Sequence, residues 1–302
     1  MTKKAIVPNT FLIGAQKSAT TSFYNWIAQH PDICGPESIK DVGFFLDDRL
    51  YNKGLSFLSK AYKSHYNQQK IVLHSNVNYI YFEEALKKIH SLGSDTKFIL
   101  ILRNPVERAI SAYYFFKQRG LEEREITQAF MEEETLKDNG SLQELCDFTY
   151  KEHGLYAKQI NQFYKYFDKD KLLVLFFEDV KNEPIEELSK AFTFLGIDDS
   201  FRPNLIHENK TGVPTSNVVQ KLIHGENKIK KALVHNILDK LVSLETKNKI
   251  KKSIGERFMK ESNSVKKDTP GNFKKELYNY YMSDIENLEE LLQRDLSEWK
   301  KY

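Results

Sequence analysis

Two spacings of apolar residues alternate along this chain. Continuous apolar runs fall near 10–14, 70–74, 97–102 and 171–177, with Phe11-Leu12-Ile13 and Phe98-Ile99-Leu100-Ile101-Leu102 the clearest. Runs this short and this rich in branched side chains predict strands covered on both faces. Between them, apolar residues recur at helical spacing near 20–30, 53–64, 81–91, 105–119, 123–137 and 153–167. Strands alternating with helices imply right-handed crossovers, and so an α/β fold: a central parallel sheet flanked by helices on both faces. Beyond Gly196 the strand signals stop. Residues 184–195 and 216–260 read as helical, 261–272 as turn-rich, and 273–294 as a final amphipathic helix. No repeat or linker interrupts the pattern, so the expectation is one domain over 1–302 with a helical C-terminal portion from about 216.

In such a sheet, ligands meet the carboxyl ends of the strands, where Lys17, His74 and Arg103 all fall. The first of these ends carries Gly14-Ala15-Gln16-Lys17-Ser18-Ala19-Thr20-Thr21, which closes a strand and opens a helix. That geometry aims backbone N–H groups and the positive helix end at an anion. Lys17 adds a mobile charge, and Ser18, Thr20, Thr21 and Ser22 add hydroxyls. A nucleotide triphosphatase loop needs G-x-x-x-x-G-K-[ST]; here Ala19 replaces the second Gly and Thr20 the Lys. The stretch therefore reads as a phosphate loop of another kind, and a P-loop kinase is disfavoured.

The third strand end leads into Arg103-Asn104-Pro105-Val106-Glu107-Arg108-Ala109-Ile110-Ser111. Pro105 suits the first turn of a helix, and Ser111 lies two turns on from Asn104. A guanidinium fork with a hydroxyl suits a terminal phosphate monoester.

Together these segments resemble the sulfotransferase family that uses 3′-phosphoadenosine 5′-phosphosulfate (PAPS). The first is similar to that family's 5′-phosphosulfate loop and the second to its 3′-phosphate motif, R-[DN]-P-x-[DE]-R-x-x-S. Lys40-Asp41-Val42-Gly43-Phe44-Phe45 with Tyr51-Asn52-Lys53-Gly54-Leu55 resembles the K-E-x-x-F-F…Y-x-K-G-[LI] run of heparan-sulfate-type and bacterial members. Gly154-Leu155-Tyr156 through Leu172 to Val180, and the tail from Leu277 to Trp299, also resemble that family. The likeness covers roughly 10–212 and 273–299. It implies a P-loop-like fold, PAPS as donor with 3′-phosphoadenosine 5′-phosphate (PAP) as product, no metal, and a saccharide or small natural-product acceptor.

The resemblance also assigns roles. Lys17 would neutralise the leaving 5′-phosphate, within a cradle of Gln16, Lys17, Ser18, Ala19, Thr20, Thr21 and Ser22. Arg103 and Ser111 would hold the 3′-phosphate. Tyr156 would pack near the adenine or else fill the core, and Asn209-Lys210-Thr211-Gly212 resembles a segment in which Lys210 and Gly212 reach the 3′-phosphate side. Arg108 reads as a structural ion pair or as part of the motif. The base stays open between two residues. In heparan-type relatives it is the Glu of K-E-x-x-F-F, here the shorter Asp41. In other branches it is a His just after the strand near 74, here His74, in a segment whose E-K-[TS]-P has become His74-Ser75-Asn76-Val77. That erosion keeps alive a rival: a catalytically inactive nucleotide-binding scaffold.

Composition narrows the class. The 302 residues are 40% hydrophobic and 29% charged with a net charge of +3, an ordinary globular balance without the charge of a nucleic-acid binder. Residues 221–275 hold 15 Lys/Arg against 6 Asp/Glu, read as a solvated helical face because Leu222, Ile229, Leu233, Ile237 and Leu241 recur at helical spacing. No long apolar stretch follows Met1-Thr2-Lys3-Lys4, so neither leader nor membrane anchor is expected. Cys34 and Cys146 are expected as free thiols in a reducing cytoplasm.

Overall fold

The computed structural model describes residues 5–36, 43–93, 95–205, 212–214, 259–261 and 269–301. Five strands form one parallel sheet: β1 (Thr10–Gly14), β2 (Ile33–Cys34), β3 (Ile71–Ser75), β4 (Lys97–Leu102) and β5 (Leu172–Phe176), in the order β2-β3-β1-β4-β5. β1 is central and wholly buried, which is why its residues are apolar on both faces. The side chains still alternate. Leu12, Ile99 and Ile101 point into one apolar layer, and Phe11, Ile13, Phe98, Leu100 and Leu102 into the other.

Helices cover both layers. α1 (Thr20–Ile27) lies on the first. α2 (Asp48–Tyr51) and α3 (Leu55–Ser59) are short. α4 (Glu83–His90) and α5 (Pro105–Gln118) cover the second layer. α6 (Ile126–Met131), α7 (Glu133–Asn139) and α8 (Leu142–Phe148) then form a compact run beside α5. α9 (Tyr156–Phe163) joins the second layer, and α10 (Phe177–Asn182) and α11 (Pro184–Leu195) return to the first. A C-terminal helix, Gly271–Leu292, lies along α9 and α5.

Two features depart from the sequence reading. β2 has no counterpart among the predicted strands, because two residues are too few to show a period. Past Gly196, where strand signals end, Gly212–Pro214 (β6) pairs antiparallel with Met259–Glu261 (β7). The predicted helical span 216–260 and its basic face fall almost wholly outside the described residues.

Chain order places the ligand end. From β1 the chain leaves towards β2, and from β4 it leaves towards β5 on the opposite side of the sheet. β1 and β4 are neighbours, so a crevice opens between their carboxyl ends. The C-terminal helix reinforces this region from behind. Asp284 accepts hydrogen bonds from the backbone N–H groups of Ala157 (3.0 Å) and Lys158 (3.2 Å), serving the unpaired N-terminus of α9 from a distant part of the chain.

Candidate active site

The loop after β1 is bent by its own backbone. Gly14 has φ of 159°, and a Cβ there would come within 2.9 Å of the Ile80 side chain and 3.2 Å of the Val77 carbonyl, so a larger residue would force Ile80 to shift. Lys17 (φ 67°) and Ala19 (φ 59°) are left-handed, a conformation costing non-glycine residues roughly 1–2 kcal/mol each. Residues turned this way point successive N–H groups into a concavity suited to an anion. Ala19 precedes α1 and brings no side-chain cap, and no acidic residue stands in that helix's first turn.

Three contacts hold the loop. Ala15 N–H donates to the Ile101 carbonyl at 2.8 Å. The Gln16 side chain donates to the Cys146 carbonyl of α8 at 3.1 Å. Arg103, arriving from the end of β4, donates from Nη1 to the Lys17 carbonyl at 3.1 Å. The Arg103 guanidinium lies 4.6 Å from the centre of the Phe177 ring, and burial lowers its pKa. Its own carbonyl accepts from the Tyr156 hydroxyl at 2.9 Å. Asn104 caps α5, its Oδ1 accepting from Val106 and Glu107 N–H, and thereby fixes the direction in which Ser111 projects.

Around this end of the sheet lies a cleft of about 890 Å³. It is lined by Gln16, Lys17, Ala19, Thr20, Thr21, Arg103 and Ser111, all assigned to donor binding from the sequence. Ser18 is wholly buried in the same loop, and its Oγ makes no hydrogen bond among the described residues. Ser22 is buried one residue behind the lining. The Lys17 ammonium lies 3.8 Å from the centre of the Phe115 ring, and the Arg119 guanidinium 3.5 Å from the same centre.

Other sequence expectations are corrected. His74 is fully buried between two tyrosines, with Nδ1 2.8 Å from the Tyr62 hydroxyl and Nε2 2.9 Å from that of Tyr79. It does not line the cleft, so the strand-end histidine is a core residue and not a base placed at an acceptor. Tyr156 is likewise buried, 6.2 Å centre to centre from the Trp299 ring, and supports Arg103 from behind. Arg108 is fully buried and donates to the Tyr150 carbonyl, an internal role. Asp41 and Lys210 lie outside the described residues, and Gly212 is seen only as the backbone partner of Glu261 in β6.

The rest of the lining carries no individual assignment in the sequence, although Ser75 to Phe82 and 115–150 are stretches expected to shape the acceptor side. Asn76 and Asn78 reach the cleft two and four residues past His74, and the buried Asn78 Oδ1 has no hydrogen bond among the described residues. Phe115 and Arg119 come from the last turns of α5, and Gln143, Cys146 and Asp147 from α8. A faint signal existed for Arg119, one turn past the motif helix's aromatic run. α8 falls inside 115–150, but which of its residues reach the loop depends on the α6–α8 turns.

Comparison with known proteins gives a consistent result. A family model described as a sulfotransferase domain matches residues 7–300. Human heparan sulfate glucosamine 3-O-sulfotransferase 3B1 is 28% identical over 207 residues, covering 68% of this chain and 50% of that protein. The mouse bifunctional heparan sulfate N-deacetylase/N-sulfotransferase 4 is 28% identical over 205 residues, covering 63% of this chain and 22% of that protein. The chain spans about half the length of the first of these relatives. A sulfotransferase from Alicyclobacillus acidocaldarius superposes with a TM-score of 0.70 at 21% identity, over 98% of this chain and 100% of that one, and shares the fold.

Proposed function

We propose that this chain, which belongs to the sulfotransferase domain family, transfers a sulfuryl group from PAPS to a hydroxyl or amine of a saccharide or small natural-product acceptor. One observation carries the reading: the loop after β1 and the Arg103/Ser111 pair after β4 line the same cleft and are joined by the Arg103–Lys17 hydrogen bond. A single ligand with an anionic group at each end suits that arrangement.

The residues fit the donor. The left-handed turns at Lys17 and Ala19 give a concave row of N–H groups, and the buried Ser18 hydroxyl is a polar atom in want of a partner. Arg103 and Ser111 supply a fork and a hydroxyl for a 3′-phosphate. When bound, PAPS supplies a sulfuryl group already attached to a good leaving phosphate. The protein's part is positioning and charge stabilisation, as in phosphoryl transfer. Lys17 neutralises charge gathering on the 5′-phosphate, the loop N–H groups and the α1 N-terminus share that load, and the cleft walls orient the acceptor. The heparan sulfate relatives support a saccharide acceptor. The free, buried Cys34 and Cys146 suit a reducing compartment, and we read the site of action as the cytoplasm.

Calorimetric titration with PAP, followed by transfer of radiolabelled sulfate from PAPS to a panel of saccharides and phenols, tests the reading. Binding with transfer supports an enzyme. Binding without transfer supports the scaffold alternative, and failure of a folded sample to bind PAP removes both.

A further inference from the structure

Ser111, Phe115 and Arg119 line the cleft at four-residue intervals along α5, Arg119 being the residue that closes the helix. Residues four apart share a helix face and stand about 6 Å apart along its axis, so α5 is a ruler laid beside the donor. Ser111 marks the 3′-phosphate end. Phe115 marks the 5′ end, because the Lys17 ammonium lies 3.8 Å from its ring centre. Arg119 stands one turn further on, beyond the point where the sulfuryl group changes hands. Its guanidinium lies 3.5 Å from the same ring centre, so one aromatic ring holds two cations no more than about 7 Å apart.

Among the described residues no carboxylate pairs with the second of these cations. Arg119 Nη1 donates to the Phe115 carbonyl of its own helix at 3.3 Å. Asp47 holds the Arg49 guanidinium at 2.7 and 3.1 Å, and Asp147 accepts from Gln143 at 2.6 Å. The contrast with Arg103 is direct. Burial lowers the pKa of both guanidinium groups, but Glu107 and Glu178 oppose it at Arg103, and no charge opposes it at Arg119. A guanidinium stays protonated regardless, so Arg119 stands half-buried with its charge uncompensated. Such a group gains most from an anion that enters the cleft with it.

We propose that Arg119 grips an anionic group of the acceptor, a carboxylate or a sulfate ester, carried about one helical turn from the hydroxyl or amine that receives the sulfuryl group. The proposal rests on the sulfotransfer reading above and narrows its acceptors to anions. Lys17 serves the 5′ end of the donor, Arg119 serves the charge of the acceptor, and the Phe115 ring holds both cations in place. The planar fork matches two oxygens of either anion. A neutral acceptor of the same shape leaves the guanidinium without that partner, and is discriminated against for that reason.

The test titrates PAP-saturated wild type, Arg119→Gln and Arg119→Lys by calorimetry. The probes are an unsulfated heparosan oligosaccharide, its neutral carboxyl-reduced form, that neutral form after N-deacetylation and N-sulfation, and the pair 2-naphthol and 6-hydroxy-2-naphthoate. Wild type is expected to prefer the anionic member of a set about 10- to 150-fold. Arg119→Gln is expected to bind PAP within about threefold of wild type and to cut that preference to threefold or less, and Arg119→Lys to restore part of it. A loss confined to the carboxylate probes, or to the sulfated one, supports the site and names its anion. Wild type that binds no anionic probe, or binds charged and neutral members alike, overturns the proposal, as does a preference that survives in Arg119→Gln. A fall in PAP affinity equal to the fall in preference also overturns it, since Arg119 would then hold the donor. Wild-type protein that fails to bind PAP removes the sulfotransfer reading itself, a separate outcome.

Discussion

Replacing Arg103 by Ala offers a sharp separation of effects, because its guanidinium does two things. It donates to the Lys17 carbonyl within the protein, and it faces the cleft where a 3′-phosphate would sit. The guanidinium is charged, so each of its two hydrogen bonds contributes about 1.5–3 kcal/mol. At about 1.4 kcal/mol per decade each loss is worth about 10- to 150-fold, the phosphate contact for PAP alone and the loop support for any ligand of the loop. 5′-AMP, which lacks the 3′-phosphate, suffers only the second loss. Parallel titrations of PAP and 5′-AMP should therefore show the preference for PAP falling about 10- to 150-fold in Arg103→Ala. Arg103→Lys should recover part of it, since the charge returns without the fork. Equal weakening of the two nucleotides would refute the assignment, and leave Arg103 as a brace for the loop alone.

Three other outcomes follow from the same geometry. Lys17→Met should lower kcat by about 10²–10³ while leaving a folded protein that still binds PAP, checked by steady-state kinetics beside calorimetry. His74→Ala removes the partner of the buried Tyr62 hydroxyl, at about 1–3 kcal/mol, and one partner of the Tyr79 hydroxyl, which also accepts from Phe45 N–H, so urea denaturation should show a loss of stability; a folded remnant should keep kcat within a few-fold, and a loss of 10² would restore His74 as base. Burial alone would raise the Glu122 carboxyl, yet hydrogen bonds from Arg124 and the Tyr150 hydroxyl hold it below its ordinary value. Its stabilisation is thus complete above the unfolded carboxyl range near pH ~4.3 and is lost as pH falls through the lower folded value. Glu122→Gln should flatten the acid limb of a stability-against-pH curve, and an unchanged limb would show that other carboxylates dominate it.

Much of this was written in local pattern. β1 and β4 are continuous apolar runs because a central parallel strand has no wet face, and the run signals that directly; β5, at the sheet edge, is apolar too, with Leu173 and Val174 half-buried. That the loop after β1 and Arg103 would meet at one cleft was legible from residue types at fixed offsets and from a place at a strand end. The errors share a cause. His74 and Tyr156 lie at the right places in the chain for ligand contact, but whether a strand-end side chain faces the cleft or the core depends on which face of the sheet it takes. Alternation sends His74 to the Phe11 and Phe45 side, where two hydroxyls await it. The exact placement of α8 was not legible for the converse reason: three short helices, with no long period to read, fold Cys146 back onto Gln16, 130 positions earlier.

The role of Asp284 bears on how the protein is made. Its carboxylate anchors the start of α9, the first residue of α9 steadies the Arg103 backbone, and Arg103 steadies Lys17. A nascent chain that has released the whole sheet still lacks the first link of that relay until the helix Gly271–Leu292 leaves the ribosome. Competence to grip the nucleotide would thus wait on a helix made after every strand of the sheet, and loss of that helix would silence a cleft it does not line.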